Sequence, residues 1–327
     1  MSRRELDAAG ITDPALRASY ERCRQLNAAH GRTYYLATLL LPPSKRPYVH
    51  ALYGYARHAD EFVDSLERPD PAQLLTWSDA LRTALRTGTS TDPVAAATVH
   101  TVQRWDIPVA HFDAFLHSMQ MDITVSEYPT YADLQSYMYG SASVIGLQML
   151  PILEPLSEEA YEPARRLGEA FQLTNFIRDV GEDLLRGRVY LPVEDMTAAG
   201  VSRADLERGV VTPAIRELLR FEIDRTRRLY AEAEPGIAML HPTSRDCVRT
   251  AFELYGGILD EVEAADYRVL DQRVSVGVPR RLGVALPRLM AAWVARARSR
   301  RTAGSELPEA PAGRRGGPTT PTRASIG

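Results

Sequence analysis

Apolar positions recur at intervals of three and four along almost the whole chain, and no run alternates at period two. That spacing is helical, so the expected fold class is all-α. Helices are predicted over residues 14–29, over a segment carrying Tyr53 to Asp64 with Ser44 near its N-cap, and over 69–89, 93–104 and 108–124. Thr130 and Asp133 have the spacing of a capping-box variant before the next helix, LQSYMYGSASVIGLQML. A long helix is expected from Ser157 to near Leu185, then short helical turns over 194–209, and helices over 212–232, 245–267 and 279–298. After Arg300 the composition turns to Pro, Gly, Ala and Thr. This divides the chain into one all-α domain, 1–300, and a disordered tail, 301–327.

Two of these helices break the usual pattern of an apolar and a charged face. In FQLTNFIRDVGEDLL, residues Gln172, Asn175, Asp179 and Asp183 are spaced three, four and four apart, which puts them on one helical face among apolar neighbours. Two short carboxylates one turn apart, beside an amide and Arg178, suit a hard cation that also holds a phosphate. A solvated acidic stripe is the plainer explanation of one such pair. A second copy changes the weighing: Tyr53, Arg57, Asp60 and Asp64 are spaced four, three and four apart in YGYARHADEFVD. Two inward-facing DxxxD helices would line a central cavity and share divalent ions. Mg²⁺ keeps one or two protein carboxylates, several waters and substrate phosphate oxygens, so the pattern predicts a diphosphate site.

Composition narrows the classes. The chain has 327 residues, 45% of them hydrophobic, enough for a large core. A formal net charge of −3 gives no argument for nucleic acid as a partner. Cys23 and Cys247 are the only cysteines and suggest neither a disulfide framework nor a zinc site. No apolar run reaches the length of a membrane span, and MSRRELDAAG lacks the apolar core of a signal peptide. The expected location is cytoplasmic, with peripheral membrane contact left open and no protein partner inferable. Lys45 is the only lysine among 39 basic residues, so single arginines carry little information unless they stand beside the acidic stripes.

Other stretches add candidates, each with a plainer alternative. His30, Arg32 and Thr33 would offer donors to a phosphate and Tyr34 an aromatic wall; the alternative is a connecting turn. Gly140, Ser141, Ala142, Ser143 and Gly146 lower helix propensity and imply a close approach by a neighbouring helix or an alkyl chain. Tyr137 would line the same space. Arg186-Gly187-Arg188 and Tyr190 form either a basic flap or a glycine C-cap.

Four stretches together resemble the squalene/phytoene synthase family: TYYLATLLLPPSKRPYVHALYGYARHADEFVD, YMYGSASVIG, QLTNFIRDVGEDLLRGRVYLP and ILDEVEAADYRVLDQRVSV. They run in the family's order over roughly residues 30–280, and QxTNxxRDxxED followed by GRxYxP is the most specific. SASVIGLQMLP looks most like the bacterial phytoene-forming members. The resemblance implies a single-domain isoprenoid-synthase fold and a prenyltransferase. The implied reaction is a head-to-head condensation of two geranylgeranyl diphosphates through prephytoene diphosphate to phytoene, a step of carotenoid biosynthesis. It implies Mg²⁺, with Mn²⁺ as an alternative, held by Asp60, Asp64, Asn175, Asp179 and Asp183. It implies diphosphate contacts or pocket walls from His30, Gly31, Arg32, Thr33, Tyr34, Tyr53, Arg57, Gln172, Arg178 and Tyr267. Where the family's first acidic motif commonly reads DDxVD, this chain has Asp60-Glu61-Phe62-Val63-Asp64; both outer carboxylates remain.

In that chemistry the metal makes diphosphate a leaving group and the arginines hold the departing oxygens. A dry cavity protects the allylic cation from water, and aromatic faces steady it by about 1–2 kcal/mol each when desolvated. Tyr137 or the released diphosphate takes the proton. No NADPH is expected for phytoene formation. The runner-up is a presqualene diphosphate or squalene-type synthase using farnesyl diphosphate, for which pocket depth is the discriminator. A non-catalytic helical paralogue is a third reading, disfavoured by two intact Asp pairs.

Overall fold

In a computed structural model of the chain the described residues are 3–64, 70–274, 276–277, 283–284, 287–288 and 291. Among them the protein is all-helical. Helix starts are written locally. Asp13, Asp70 and Asp92 each precede a proline at the first helical position, and each side chain accepts the N–H three residues on, at 2.7, 2.9 and 2.8 Å. The carboxylate satisfies an orphan donor while proline supplies the right φ without needing one. The resulting helices are Pro14–His30, Pro71–Thr87 and Pro93–Trp105. Thr130 and Asp133 form the expected capping box before Tyr131–Met138. Gly88, at φ +82°, closes the Pro71–Thr87 helix.

Among the described residues two large apolar clusters, with a small third one at Leu150, Ala160 and Leu240, build the interior. One gathers Tyr20, Leu52, Tyr55, Leu81 and Phe112 from the N-terminal helices; the other gathers Leu173, Ile177, Leu219, Leu254 and Ile258 from the C-terminal ones. Phe171 packs against both. The Arg46–Asp64 helix belongs to the first cluster, and Tyr161–Arg178, packed on Pro213–Ala233 and Pro242–Ala264, to the second. Cys23 and Cys247 are buried and unpaired, and burial pushes both thiols up to about 12.

The structure corrects several boundaries. A short helix, Arg3–Ala8, precedes the first predicted one. The stretch after Gly31 is a helix, Arg32–Thr38, and not a turn. The long helix does not start at Ser157: a 3₁₀ turn spans Glu158–Ala160, and the α-helix runs Tyr161–Arg178. It also does not run unbroken to Leu185. Asp179 adopts φ −104°, ψ 14°, and a new helix spans Val180–Leu185. The i to i−4 bonds still bridge the break, Asp179 N–H to Asn175 O and Asp183 N–H to Asp179 O, both 2.8 Å, so the polar stripe survives the bend.

The small-residue stretch departs from α geometry as well. Tyr139–Ser143 forms a π turn between Tyr131–Met138 and Val144–Leu153. A Cβ on Gly140 would lie 2.2 Å from the Ala114 carbonyl oxygen, one on Gly168 2.4 Å from that of Ala142, and one on Gly146 2.3 Å from that of Ala164. The glycines are there because backbones touch backbones. The expected tail, 301–327, and nearly all of the helix expected over 279–298 lie outside the described residues.

Candidate active site

Between the two clusters lies a cavity of about 600 Å³. One part is polar, the rest a wall of residues such as Leu41, Ile145, Leu150, Leu167 and Ile237. Into it converge many of the predicted residues: His30, Tyr34, Tyr53, Arg57 and Asp60 from the N-terminal side, and Gln172, Asn175, Arg178, Asp179 and Asp183 from the C-terminal side. Tyr137 joins them from the helix before the π turn.

The polar part is crowded with opposite charges. Arg178 donates from Nε to Asp179 Oδ1 at 2.7 Å and from its second nitrogen to Oδ2. Burial opposes the guanidinium charge, but these bonds hold Arg178 above its ordinary value. Arg273 reaches the same carboxylate, Nε to Oδ1 at 3.2 Å, and Glu182 at 3.4 Å. A glycine makes this reach possible. Gly181 donates to the Val269 carbonyl at 3.2 Å, and a Cβ there would lie 2.4 Å from the Leu270 carbonyl oxygen. The segment leading to Arg273 therefore lies directly on the acidic helix. Arg186 lies 3.4 Å from Asp183. The Gly187 alternative of a C-cap is the observed one: at φ +76° it donates to the Leu184 carbonyl at 2.9 Å. Its neighbours Arg186 and Arg188 still line the cavity.

Among the described residues, four that line the cavity carry a buried polar atom with no hydrogen-bond partner: Asn27 Oδ1, Ser141 Oγ and, beside the charged groups, Asn175 Oδ1, an acceptor, and Arg57 Nε, a donor. Leaving such groups unpaired in a folded protein costs about 1–3 kcal/mol. Among cavity-lining carboxylates and arginines, an unused oxygen suits a cation and an unused N–H suits a phosphate oxygen. Among the described residues no three His, Cys, Asp or Glu side chains gather closely enough to hold a metal ion by themselves.

An aromatic wall adjoins the arginines. Tyr34 stacks on Tyr255 at 4.7 Å, Phe171 lies 4.6 Å from Tyr255, and Tyr53 lies 6.0 Å from Tyr34. A second aromatic group holds Tyr137. Phe176 stacks on Tyr190 at 4.2 Å, and Tyr137 lies 5.5 Å from Tyr190 and 5.3 Å from Tyr128. Burial, with the charge of Asp122, raises the Tyr137 hydroxyl well above its ordinary value.

Four predicted residues do not line the cavity. Gly31 is buried behind it, close against the Tyr53 ring. Arg32, on the exposed side of the Arg32–Thr38 helix, and Thr33 are absent from the wall. Tyr267 was expected to contribute, but at φ +59°, just past the end of Pro242–Ala264, it is buried in the second apolar cluster. Tyr255 reaches the cavity in its stead. The side chain of Asp64 lies outside the described residues. Residues not foreseen are Asn27, Asp122, Glu182 and Arg273. Glu182 was visible in the RDxxED string. Asn27 and Asp122 had no local signal.

The squalene/phytoene synthase family profile matches residues 27–280. A phytoene synthase of Arthrospira platensis is 38% identical over 284 residues, covering 80% of this chain and 90% of its own. A 15-cis-phytoene synthase of Synechocystis sp. is 38% identical over 278 residues, covering 81% and 82%. The structure resembles that of a dehydrosqualene synthase in complex with ligand, with TM-score 0.78 and 28% identity over 84% of this chain and 96% of that one. It also resembles a squalene synthase from Alicyclobacillus acidocaldarius, with TM-score 0.72 and 25% identity over 80% and 98%. The chain belongs to the squalene/phytoene synthase family, an enzyme family with an all-α isoprenoid-synthase fold.

Proposed function

We propose that the protein is a phytoene synthase, a prenyltransferase that joins two geranylgeranyl diphosphates head to head. The observation that carries the reading is the convergence of Asp60 from one helix with Asp179, at the bend after Tyr161–Arg178, and Asp183, from the short helix that follows it, on one cavity whose remaining wall is largely apolar. That combination suits a substrate with a diphosphate head and a long hydrocarbon tail. The similarity to phytoene synthases over four fifths of the chain supports the choice of tail.

Asp60, Asp64, Asn175, Asp179 and Asp183 would hold Mg²⁺, or Mn²⁺, and the free Asn175 Oδ1 fits that role. Bound there, the metal would neutralise the diphosphate and make it a leaving group. Arg57, with its unused Nε–H, and Arg178 donate to the departing oxygens. His30 and Gln172 line the same cavity. The rings of Tyr34, Tyr53, Phe171 and Tyr255 face the developing allylic cation, and the apolar wall keeps water from it. The second double bond then attacks, a proton leaves, and the cyclopropylcarbinyl diphosphate ionises again and rearranges. Loss of a last proton from one of the two joined C1 carbons gives the hydrocarbon.

No described helix is long and apolar enough to cross a membrane. Product release at a membrane surface, from a cytoplasmic enzyme, is part of the proposal. The test is to supply geranylgeranyl and farnesyl diphosphate in separate incubations with Mg²⁺, with and without NADPH, and to identify the extracted hydrocarbons by mass. The C15 reading has its own support in the dehydrosqualene synthase likeness; a C30 product from farnesyl diphosphate alone would select it.

A further inference from the structure

Asp122 was not among the residues the acidic motifs single out, yet it is buried and lines the cavity. It caps the Val109–Met121 helix, far in sequence from either DxxxD stripe. Its two carboxylate oxygens accept two tyrosine hydroxyls: Tyr137 Oη donates to Oδ2 at 2.8 Å, and Tyr190 Oη donates to Oδ1 at 2.8 Å. Tyr128, Tyr190 and Phe176 fix the Tyr137 ring in an aromatic box. The buried Arg188 guanidinium, which donates to the Val63 carbonyl at 3.1 Å, lies in the same region of the cavity wall.

This arrangement bears on Tyr137 as a base. A buried phenol that donates to a carboxylate does not ionise ahead of the reaction. It can still accept a proton if its own passes on in the same step, as a carboxylate behind an oriented base allows. We propose that Asp122 is the positioning residue for proton loss from the carbocation, acting through Tyr137. The electrons of the breaking C–H bond form the new carbon–carbon bond. The proton goes to Tyr137 Oη as the phenolic proton moves to Asp122 Oδ2. Cation and carboxylate become neutral hydrocarbon and carboxylic acid, and Asp122 returns its proton to diphosphate or water when product leaves. Tyr190 holds the second oxygen and takes no part in the transfer.

The inference rests on the phytoene-synthase reading. Wild-type enzyme with Mg²⁺ and geranylgeranyl diphosphate is therefore the first arm; absence of a C40 hydrocarbon there is a failure of that reading and not of this one. Given that product, Asp122→Asn and Tyr137→Phe should each lower kcat about a hundredfold with KM unchanged. Both should enlarge the isotope effect on kcat with substrate deuterated at C1, because proton loss becomes limiting. Asp122→Glu should recover part of the rate. Tyr190→Phe should lose much less and leave the isotope effect as in wild type. Wild-type kcat in Asp122→Asn would overturn the proposal. So would equal losses in Tyr137→Phe and Tyr190→Phe with no change in isotope effect, which would make the cluster purely structural. If Asp122→Asn fails to fold, the contrast between the two tyrosine variants decides.

Discussion

A Cβ on Gly31 would lie 2.5 Å from the Tyr53 ring and 2.7 Å from Asn27 Oδ1. Gly31 therefore serves the cavity as an absence, letting the end of Pro14–His30 approach the tyrosine that begins the first polar stripe. Gly31→Ala should push the ring out of place, with an overpacking cost of about 1–3 kcal/mol. A lowered urea midpoint together with reduced turnover is the expected result; unchanged values in both would show that the neighbours yield freely.

The four aspartates should act as a set. Asp60→Asn, Asp64→Asn, Asp179→Asn and Asp183→Asn are each expected to cut turnover at least about a hundredfold, the scale of a lost electrostatic stabiliser. Initial rates at saturating substrate and Mg²⁺ check this. Near-wild-type rates in all four would remove the metal from the account.

The site should bind metal and diphosphate jointly. Arg178 and Arg273 both hold Asp179 in the structure, and a diphosphate arriving with Mg²⁺ gives these groups new partners together. A non-hydrolysable prenyl diphosphate analogue with Mg²⁺ should raise the melting temperature, corresponding to about 2.7 kcal/mol at a hundredfold excess over Kd. The analogue after chelation of Mg²⁺ should give a clearly smaller rise; equal rises would contradict joint binding.

His50 sets an acid limit. It is 1% exposed, accepts from Asn27 Nδ2 at its Nδ1 at 3.0 Å, and stacks on Tyr35. Burial, with the charges of Arg24 and Arg46, lowers it to about 3 from 6.5. The unfolded chain then binds a proton below pH 6.5 that the native protein refuses. The stability from the neutral ring is complete above pH 6.5 and is lost as pH falls towards 3, by up to about 1.4 kcal/mol per pH unit. Denaturation at several pH values should show a shallower acid loss in His50→Gln than in wild type; parallel curves would refute the assignment.

Much of this was legible in the sequence because local rules wrote it. The Asp-Pro helix starts, the Thr130–Asp133 capping box and the Gly88 stop depend on residues within one turn of each other. The same holds for the two polar stripes, whose spacing puts Tyr53, Arg57 and Asp60 on one helical face and Gln172, Asn175 and Asp179 on another. What escaped depends on distant partners. The bend at Asp179 accompanies the docking of Val269–Leu270 on Gly181, nearly ninety residues on. The π turn at Tyr139–Ser143 accompanies the close backbone approach of Gly140 to Ala114. Asp122 has no neighbour in sequence that marks it, since Tyr137 and Tyr190 reach it only in the folded chain. Tyr267 shows the opposite error: a residue that fits a family pattern turned into the core by a positive φ.

The central claim is tested most directly by competition. Purified protein with Mg²⁺, without NADPH, is given equal amounts of geranylgeranyl and farnesyl diphosphate, and the extracted hydrocarbons are identified by mass. A C40 hydrocarbon as the main product is the predicted result. A C30 product in its place, or no hydrocarbon at all, would contradict the assignment.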